Sequence, residues 1–337
     1  MSTINLILPE GYSSLLNILD TEIAIKTVKD GFERNLAKNL NLTRVSAPLF
    51  VAENSGLNDD LNGVERAVSF DIKDIGEDVT IVHSLAKWKR LALKRYGFKN
   101  DTGLYTDMNA IRRDEELDNL HSVYVDQWDW EKIITVNTRN FDTLKATVCD
   151  IVSALIESEV SLNAKFPQIK PFICPDVFFI TSQDLLDMYP SLTPKEREDA
   201  IAKQHKTVFI MQIGGKLSNG EKHDGRAPDY DDWTLNGDLL LWYPLLDRAI
   251  EVSSMGIRVD VAALDSQLNE ANCNNRRELP FHKALLNDEL PLTMGGGIGQ
   301  SRICMILLQK AHIGEVQASS WSNGMIDECA QNGIMLL

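Results

Sequence analysis

The chain has 337 residues, 44% hydrophobic and 25% charged, which is ordinary globular composition with ample length for a core. A formal charge of −15 repels phosphate backbones and argues against a dedicated nucleic-acid binder, but it leaves room for a small anion held by local cations. No apolar run reaches about 18 residues, so no membrane-spanning helix is expected, and Met1-Ser2-Thr3-Ile4-Asn5 lacks the basic start of a secretory signal.

Val28, Phe32, Leu36 and Leu40 recur at every fourth position and predict a helix over 21–40, with residues 1–20 an extension ahead of it. A strand over Leu42 to Phe50 follows, with Pro48 near its end. Ala67 to Ile75 and Val79 to His83 predict a strand pair around Gly76-Glu77-Asp78, and Ser84 is placed to cap the next helix. Residues 104–113 and 121–130 are extended. The second stretch alternates, putting Val125, Gln127 and Asp129 on one face.

Phe141, Leu144, Val148, Ile151 and Leu155 mark an amphipathic helix. Val177 to Thr181 is a strand, and Ser182 would cap a short helix. Thr193-Pro194-Lys195-Glu196 is a capping box with proline in the first turn. Thr207 to Ile213 is a strand, 214–234 a polar loop, and Leu239 to Tyr243 with Ala249 to Ser253 a hairpin. His223 in that loop is expected to be solvated. Gly295 to Ile298 leads into a helix over about 300–311. Short turns join most strand pairs, so the expected fold is α+β, an antiparallel sheet flanked by helices, in one domain over 1–337.

The five cysteines are widely spaced, with no Cys-x-x-Cys, which suits reduced thiols in the cytoplasm. Gly214-Gly215-Lys216 is followed by Leu217 and is not a P-loop. The glycines of 295–299 do not match a dinucleotide fingerprint, and neither a Gly-x-Ser-x-Gly elbow nor a His-Glu-x-x-His occurs.

Three constellations carry chemistry. Gly295-Gly296-Gly297-Ile298-Gly299-Gln300-Ser301-Arg302 lets a strand approach a flat ligand and sets an arginine in the first turn of a helix. Ala110-Ile111-Arg112-Arg113-Asp114-Glu115-Glu116, followed by His121 to Trp130, pairs cations with acids between extended segments. It suits a nucleotide phosphate, and equally a salt-bridged loop. Asp238 and Glu251, on a hairpin that continues through Ser254 to Arg258, could hold Mg²⁺ through oxygen, or be solvated.

In this order the three resemble the motifs of class II aminoacyl-tRNA synthetase catalytic domains, the aspartyl and asparaginyl ones above all. A closer resemblance spans nearly the whole chain. His83 to Arg90, His121 to Glu131, Arg226 to Trp233 and Gly295 to Arg302 resemble the aspartate–ammonia ligase family, the ammonia-using asparagine synthetases. The resemblance implies that ATP activates the β-carboxylate of L-aspartate as an adenylate, with loss of pyrophosphate. Ammonia then displaces AMP. Arg112 would meet the α-phosphate, with Arg113 an alternative register. Arg302 would meet the nucleotide beside Gly297 and Gly299. Asp238 and Glu251 would hold Mg²⁺. Ser84, Lys89, Gln127, Asp129, Ser254 and Arg258 would line the amino-acid pocket. Asp59 and Asp231 would hold the substrate amine or receive ammonium. The family also implies a homodimer through the first helix.

Glutamine use would need a placed cysteine nucleophile. Residue 2 is Ser, and Cys149 and Cys304 sit within predicted helices as core thiols, so free ammonia is the expected donor. The competing reading is a synthetase paralogue acting on a tRNA. The acidic charge and the lack of an anticodon-binding module count against it. A non-catalytic amino-acid sensor would be expected to lose the phosphate-handling residues, yet Arg112, Glu251 and Arg302 are present.

Overall fold

The computed structural model describes residues 6–58, 65–74 and 76–337. In chain order its main elements are α1 (Ile18–Leu40), β1 (Leu42–Arg44), β2 (Phe50–Ala52), β3 (Ser69–Asp71), β4 (Asp78–Ile81), α2 (Ala86–Tyr96), β5 (Gly103–Ile111) and β6 (Tyr124–Ile133). Then come α3 (Phe141–Lys165), β7 (Val177–Thr181), α4 (Ser182–Met188), α5 (Pro194–His205), β8 (Thr207–Met211), β9 (Asp231–Tyr243) and β10 (Arg248–Arg258). The last are α6 (Val261–Glu270), α7 (Pro280–Leu286), β11 (Thr293–Gly299), α8 (Gln300–Leu307) and α9 (Asn323–Gln331).

Eight strands form one sheet in the order β1-β5-β6-β11-β10-β9-β8-β7. The expected α+β class holds, but the sheet is mixed. Its centre is antiparallel, while both edge pairs, β1 with β5 and β7 with β8, run parallel. Long connections separate each edge strand from its parallel partner, and these allow the chain to return in the same direction. Strands β2, β4 and β3 make a separate small antiparallel sheet. The predicted strand over 42–50 is therefore split between two sheets, with Pro48, which has no N–H to donate, between its halves.

One face of the large sheet is the core. The α1 stripe Val28, Phe32, Leu36 and Leu40 is fully buried, as its spacing required, and Phe32 packs on Trp128 with ring centroids 4.7 Å apart. Trp128 and Trp130 of β6, Leu144, Val148, Ile151 and Leu155 of α3, and the apolar face of α8 complete that layer. The opposite face of the central strands carries polar side chains and is flanked by α2, α5 and the 214–230 loop.

Local signals resolve in detail. Thr193 and Glu196 form the capping box at α5. The Ser182 position differs: Thr181 caps α4, and the Ser182 hydroxyl donates to the Gln212 carbonyl at 2.6 Å. Leu85 is the N-cap of α2, and Ser84 instead accepts from the Ala86 N–H at 3.1 Å. The predicted helix to 311 stops at Leu307, because Gln309 takes a left-handed φ of 54°. The expected loop ends at 230, because Asp231 already pairs with Arg258 in the sheet.

Candidate active site

Register builds the site before any side chain is considered. Asp238 of β9 lies opposite Ser254 of β10, Ser254 opposite Gly297 of β11, and Gly297 opposite Asp129 of β6. Two residues along, Gly256, Gly295 and Glu131 form a second row. Strand alternation then puts Gln127, Asp129 and Glu131 on one face of β6, opposite the tryptophans that fill the core.

The glycines of β11 provide space. A Cβ at Gly295 would collide with the Glu131 carboxylate and approach the Arg258 guanidinium within 2.6 Å, and one at Gly297 would collide with the Gln127 amide. Bare backbone at these positions lets charged side chains from both neighbouring strands lie across β11. Above this floor is a cavity of about 480 Å³.

At its base is a buried ion network. Lys89, on α2, is wholly buried and ion-pairs with Asp129. Its Nζ donates to the carbonyls of Trp130 at 2.9 Å and Gly296 at 3.3 Å and lies 3.7 Å from Glu131. Arg258 grips Glu131 through Nε at 3.0 Å and Nη2 at 2.7 Å, and its Nη1 pairs with Asp231. Burial alone would push the Glu131 carboxyl up, but Arg258 and Lys89 outweigh it and hold it below the usual range. Burial likewise opposes the charge on Arg258, and Glu131 and Asp231 hold it firmly protonated. Arg226 also stands 3.8 Å from Asp231 and pairs with Asp238, so three cations, Lys89, Arg258 and Arg226, face four carboxylates, Asp129, Glu131, Asp231 and Asp238. The base has one negative charge left over, which suits an ammonium group.

Toward the other end of the cavity, Arg302 of α8 donates to the Glu251 carbonyl at 2.9 Å. Arg226 bridges the Ser254 hydroxyl and Asp238, the latter at 2.6 Å. Arg112 lines the cavity from the end of β5, with its main-chain N–H donating to the Val123 carbonyl at 2.9 Å, while Arg113 is exposed and does not line it. The Arg112 side chain is 3.8 Å from Glu115, and its Nε is buried without a hydrogen bond among the described residues. Burial, and the neighbouring Asp238 carboxylate, push the Glu251 carboxyl up. Burial also raises Asp238, although Arg226 works against it. The Glu251 carboxylate takes no hydrogen bond from a described residue. Two carboxylates kept close, one of them free of donors, fit a hard divalent cation that completes its shell with water and phosphate oxygen. Among the described residues no three-ligand acidic or histidine cage exists.

Of the sequence-predicted residues, Ser84, Lys89, Arg112, Gln127, Asp129, Asp231, Glu251, Ser254, Arg258, Gly297, Gly299 and Arg302 all line this one cavity. Asp238 lies just behind it, held by Arg226. Asp59 falls outside the described residues. Sequence reasoning passed over Glu131, Arg226 and Lys195. Glu131 was legible as the next same-face position after Gln127 and Asp129, and Arg226 heads the Arg226 to Trp233 segment. Nothing local marked Lys195, which the α5 capping box brings to the cavity wall. Two smaller expectations are corrected. His223 is buried, with its Nε2 3.2 Å from Glu198, because the 214–230 loop folds onto α5. Cys149 is exposed on α3, one position past the apolar stripe, whereas Cys304 is buried, its thiol pushed up to about 12 by burial.

The family model described as aspartate–ammonia ligase matches residues 19–333. The aspartate–ammonia ligase of Ruminiclostridium cellulolyticum is 64% identical over 334 residues, covering 99% of each chain. That of Fusobacterium nucleatum is 60% identical over 326 residues, covering 97% of this chain and 99% of its own. Among solved structures, the asparaginyl-tRNA synthetase of Entamoeba histolytica in complex with asparaginyl-adenylate superposes with a TM-score of 0.64 at 12% identity, over 89% of this chain and 66% of that one. The aspartyl-tRNA synthetase of the same organism gives 0.58 at 14% identity, over 88% and 58%. The sheet is therefore of the class II synthetase kind. The chain belongs to the aspartate–ammonia ligase family.

Proposed function

We propose that the cavity joins L-aspartate to ATP as a β-aspartyl-adenylate and passes the acyl group to ammonia. One β-carboxylate oxygen attacks the α-phosphorus, and pyrophosphate leaves. Ammonia then forms the C–N bond and gives up one proton to solvent, the acyl C–O bond breaks, and AMP departs carrying that oxygen. The observation that carries this reading is the glycine floor, with a buried ammonium-and-carboxylate pocket at one end and three arginines with two carboxylates at the other.

Aspartate is a zwitterion with a second carboxylate, so its pocket needs both signs of charge. Lys89 and Arg258 suit its carboxylates, and Asp129, on the under-neutralised side, suits its α-ammonium. Gln127 and Ser84 supply neutral hydrogen bonds, and Ser254 lies between the two halves of the site. Arg112 suits the α-phosphate, and its exposed neighbour Arg113 does not reach the cavity. Arg302 suits the nucleotide over Gly297 and Gly299, with Arg226 and Lys195 on the pyrophosphate side. Asp238 and Glu251 would hold Mg²⁺, which when bound neutralises phosphate charge. The protein contributes orientation and electrostatic stabilisation at phosphorus. Asp231 is the described acidic group that suits incoming ammonium, with Asp59 the second candidate.

The exposed apolar residues Leu15, Ile18, Leu19 and Ile23, around the start of α1, support a homodimer through that helix. Five unpaired thiols support a reducing, cytoplasmic setting. No helix among the described residues is long and apolar enough to cross a membrane.

The test is one incubation with ATP, Mg²⁺, L-aspartate and ammonium, with parallel tubes lacking ammonium or containing glutamine instead. The expected result is asparagine with equimolar AMP, dependent on ammonium. Aspartate-dependent exchange of pyrophosphate into ATP without asparagine would overturn the acceptor, and formation of ADP would overturn the adenylate.

A further inference from the structure

The core face of β6 carries one carboxylate. Alternation along the strand gives Asp126, Trp128 and Trp130 to the side facing α1, and Asp126 is only 5% exposed there. It is fully engaged. Its Oδ1 accepts from the Ser301 main-chain N–H at 3.0 Å and from the Gln317 side chain at 3.3 Å. Its Oδ2 accepts from the Lys29 ammonium of α1 at 2.8 Å. Gln317 also donates to the Ser301 hydroxyl at 2.9 Å, which closes a small buried ring.

Ser301 and Arg302 lie in the first turn of α8, whose N-cap is Gly299 and has no side chain to cap it. The free N–H groups of a helix start need acceptors, and a carboxylate there also meets the positive end of the helix dipole. Asp126 supplies that acceptor from another strand. The residue after its Ser301 partner is Arg302, whose guanidinium donates to Glu251 on the cavity wall.

We propose that Asp126 is a positioning residue for Arg302: it caps α8 from β6, and its ion pair with Lys29 ties the nucleotide-side arginine to α1. The inference rests on Arg302 acting on ATP. Asp126, Ser301 and Gln317 border the cavity, but both Asp126 oxygens are taken by protein donors, so in this account Asp126 positions and touches no substrate. Its loss therefore weakens the nucleotide end of the site and spares the aspartate end, which Lys89 and Arg258 build independently.

A graded series tests this. Asp126→Ala removes cap and ion pair, Asp126→Asn keeps a neutral acceptor, and Lys29→Met removes only the cation. KM for ATP and KM for aspartate are measured for each, alongside Arg302→Ala. The expected order is a tenfold or greater rise in KM for ATP for Asp126→Ala, with severalfold and matching rises for Asp126→Asn and Lys29→Met. KM for aspartate stays within twofold throughout. Should Asp126→Ala fail to fold, the two milder variants carry the test. Parallel rises in both KM values, or no rise in either, would overturn the proposal. Arg302→Ala with an unchanged KM for ATP would overturn the role of Arg302 beneath it. An impaired Arg302→Ala beside unaffected Asp126 variants would overturn the Asp126 link alone.

Discussion

Glu131 is buried under the glycine strand and ionised, and this depends on its two cations. Arg258 holds it through two nitrogens and Lys89 stands 3.7 Å away. Replacing it by glutamine leaves Arg258 with only Asp231 and takes a carboxylate from Lys89. Breaking a buried pair from one side costs about 3–5 kcal/mol. Glu131→Gln is therefore expected to lose stability of that order near neutral pH in urea unfolding. The pH dependence follows from the direction of the shift. A carboxyl held below its unfolded value, about 4.3, gives its stabilisation above that pH and loses it as pH falls through the folded value. The gap between wild type and Glu131→Gln should therefore narrow in acid. A gap that is constant with pH would mean that Glu131 is not ionised in the native state.

At the scale of elements, β11 shows how a glycine run becomes a functional surface. Gly295, Gly297 and Gly299 alternate on one face, and their bare Cα atoms leave room for side chains from β6, β10 and α8. Gly297→Ala puts a methyl group against the Gln127 amide, an overpacking of about 1–3 kcal/mol that the site must absorb by moving Gln127. The expected outcome is at least a tenfold rise in KM for aspartate with a much smaller change in thermal stability. A KM for aspartate that does not move would show that Gln127 does not meet the amino acid. The period of four in α1, the alternation in β6 and the capping box of α5 were all readable, because each is set by neighbours a few positions apart. The parallel edges of the sheet were not, since they depend on where long connections return the chain. Neither was the buried network at the base. Lys89 and Asp129 are 40 positions apart, and Arg258 and Glu131 are 127 apart. No local pattern announces such pairs. The resemblance to the ligase family supplied Lys89, Asp129 and Arg258, while Glu131, the carboxylate that connects them, went unmarked.

The whole molecule divides its work between the two faces of one sheet. The core face, packed by α1, α3 and α8, gives the rigidity, and the polar face carries the cavity to which the proposed function assigns the chemistry. Against a net charge of −15, the arginines at positions 112, 226 and 302 and Lys195 line the cavity where the proposed function docks an anionic nucleotide. The central claim is the order of bond making: aspartate oxygen to phosphorus first, nitrogen to carbon second. L-aspartate labelled with oxygen-18 in its β-carboxylate tests it directly, with mass spectrometry of the nucleotide product. The account predicts AMP that carries one label, left by the carboxylate oxygen that attacked the α-phosphorus, and asparagine that keeps the other in its amide. Unlabelled AMP, or label in inorganic phosphate beside ADP, would contradict it.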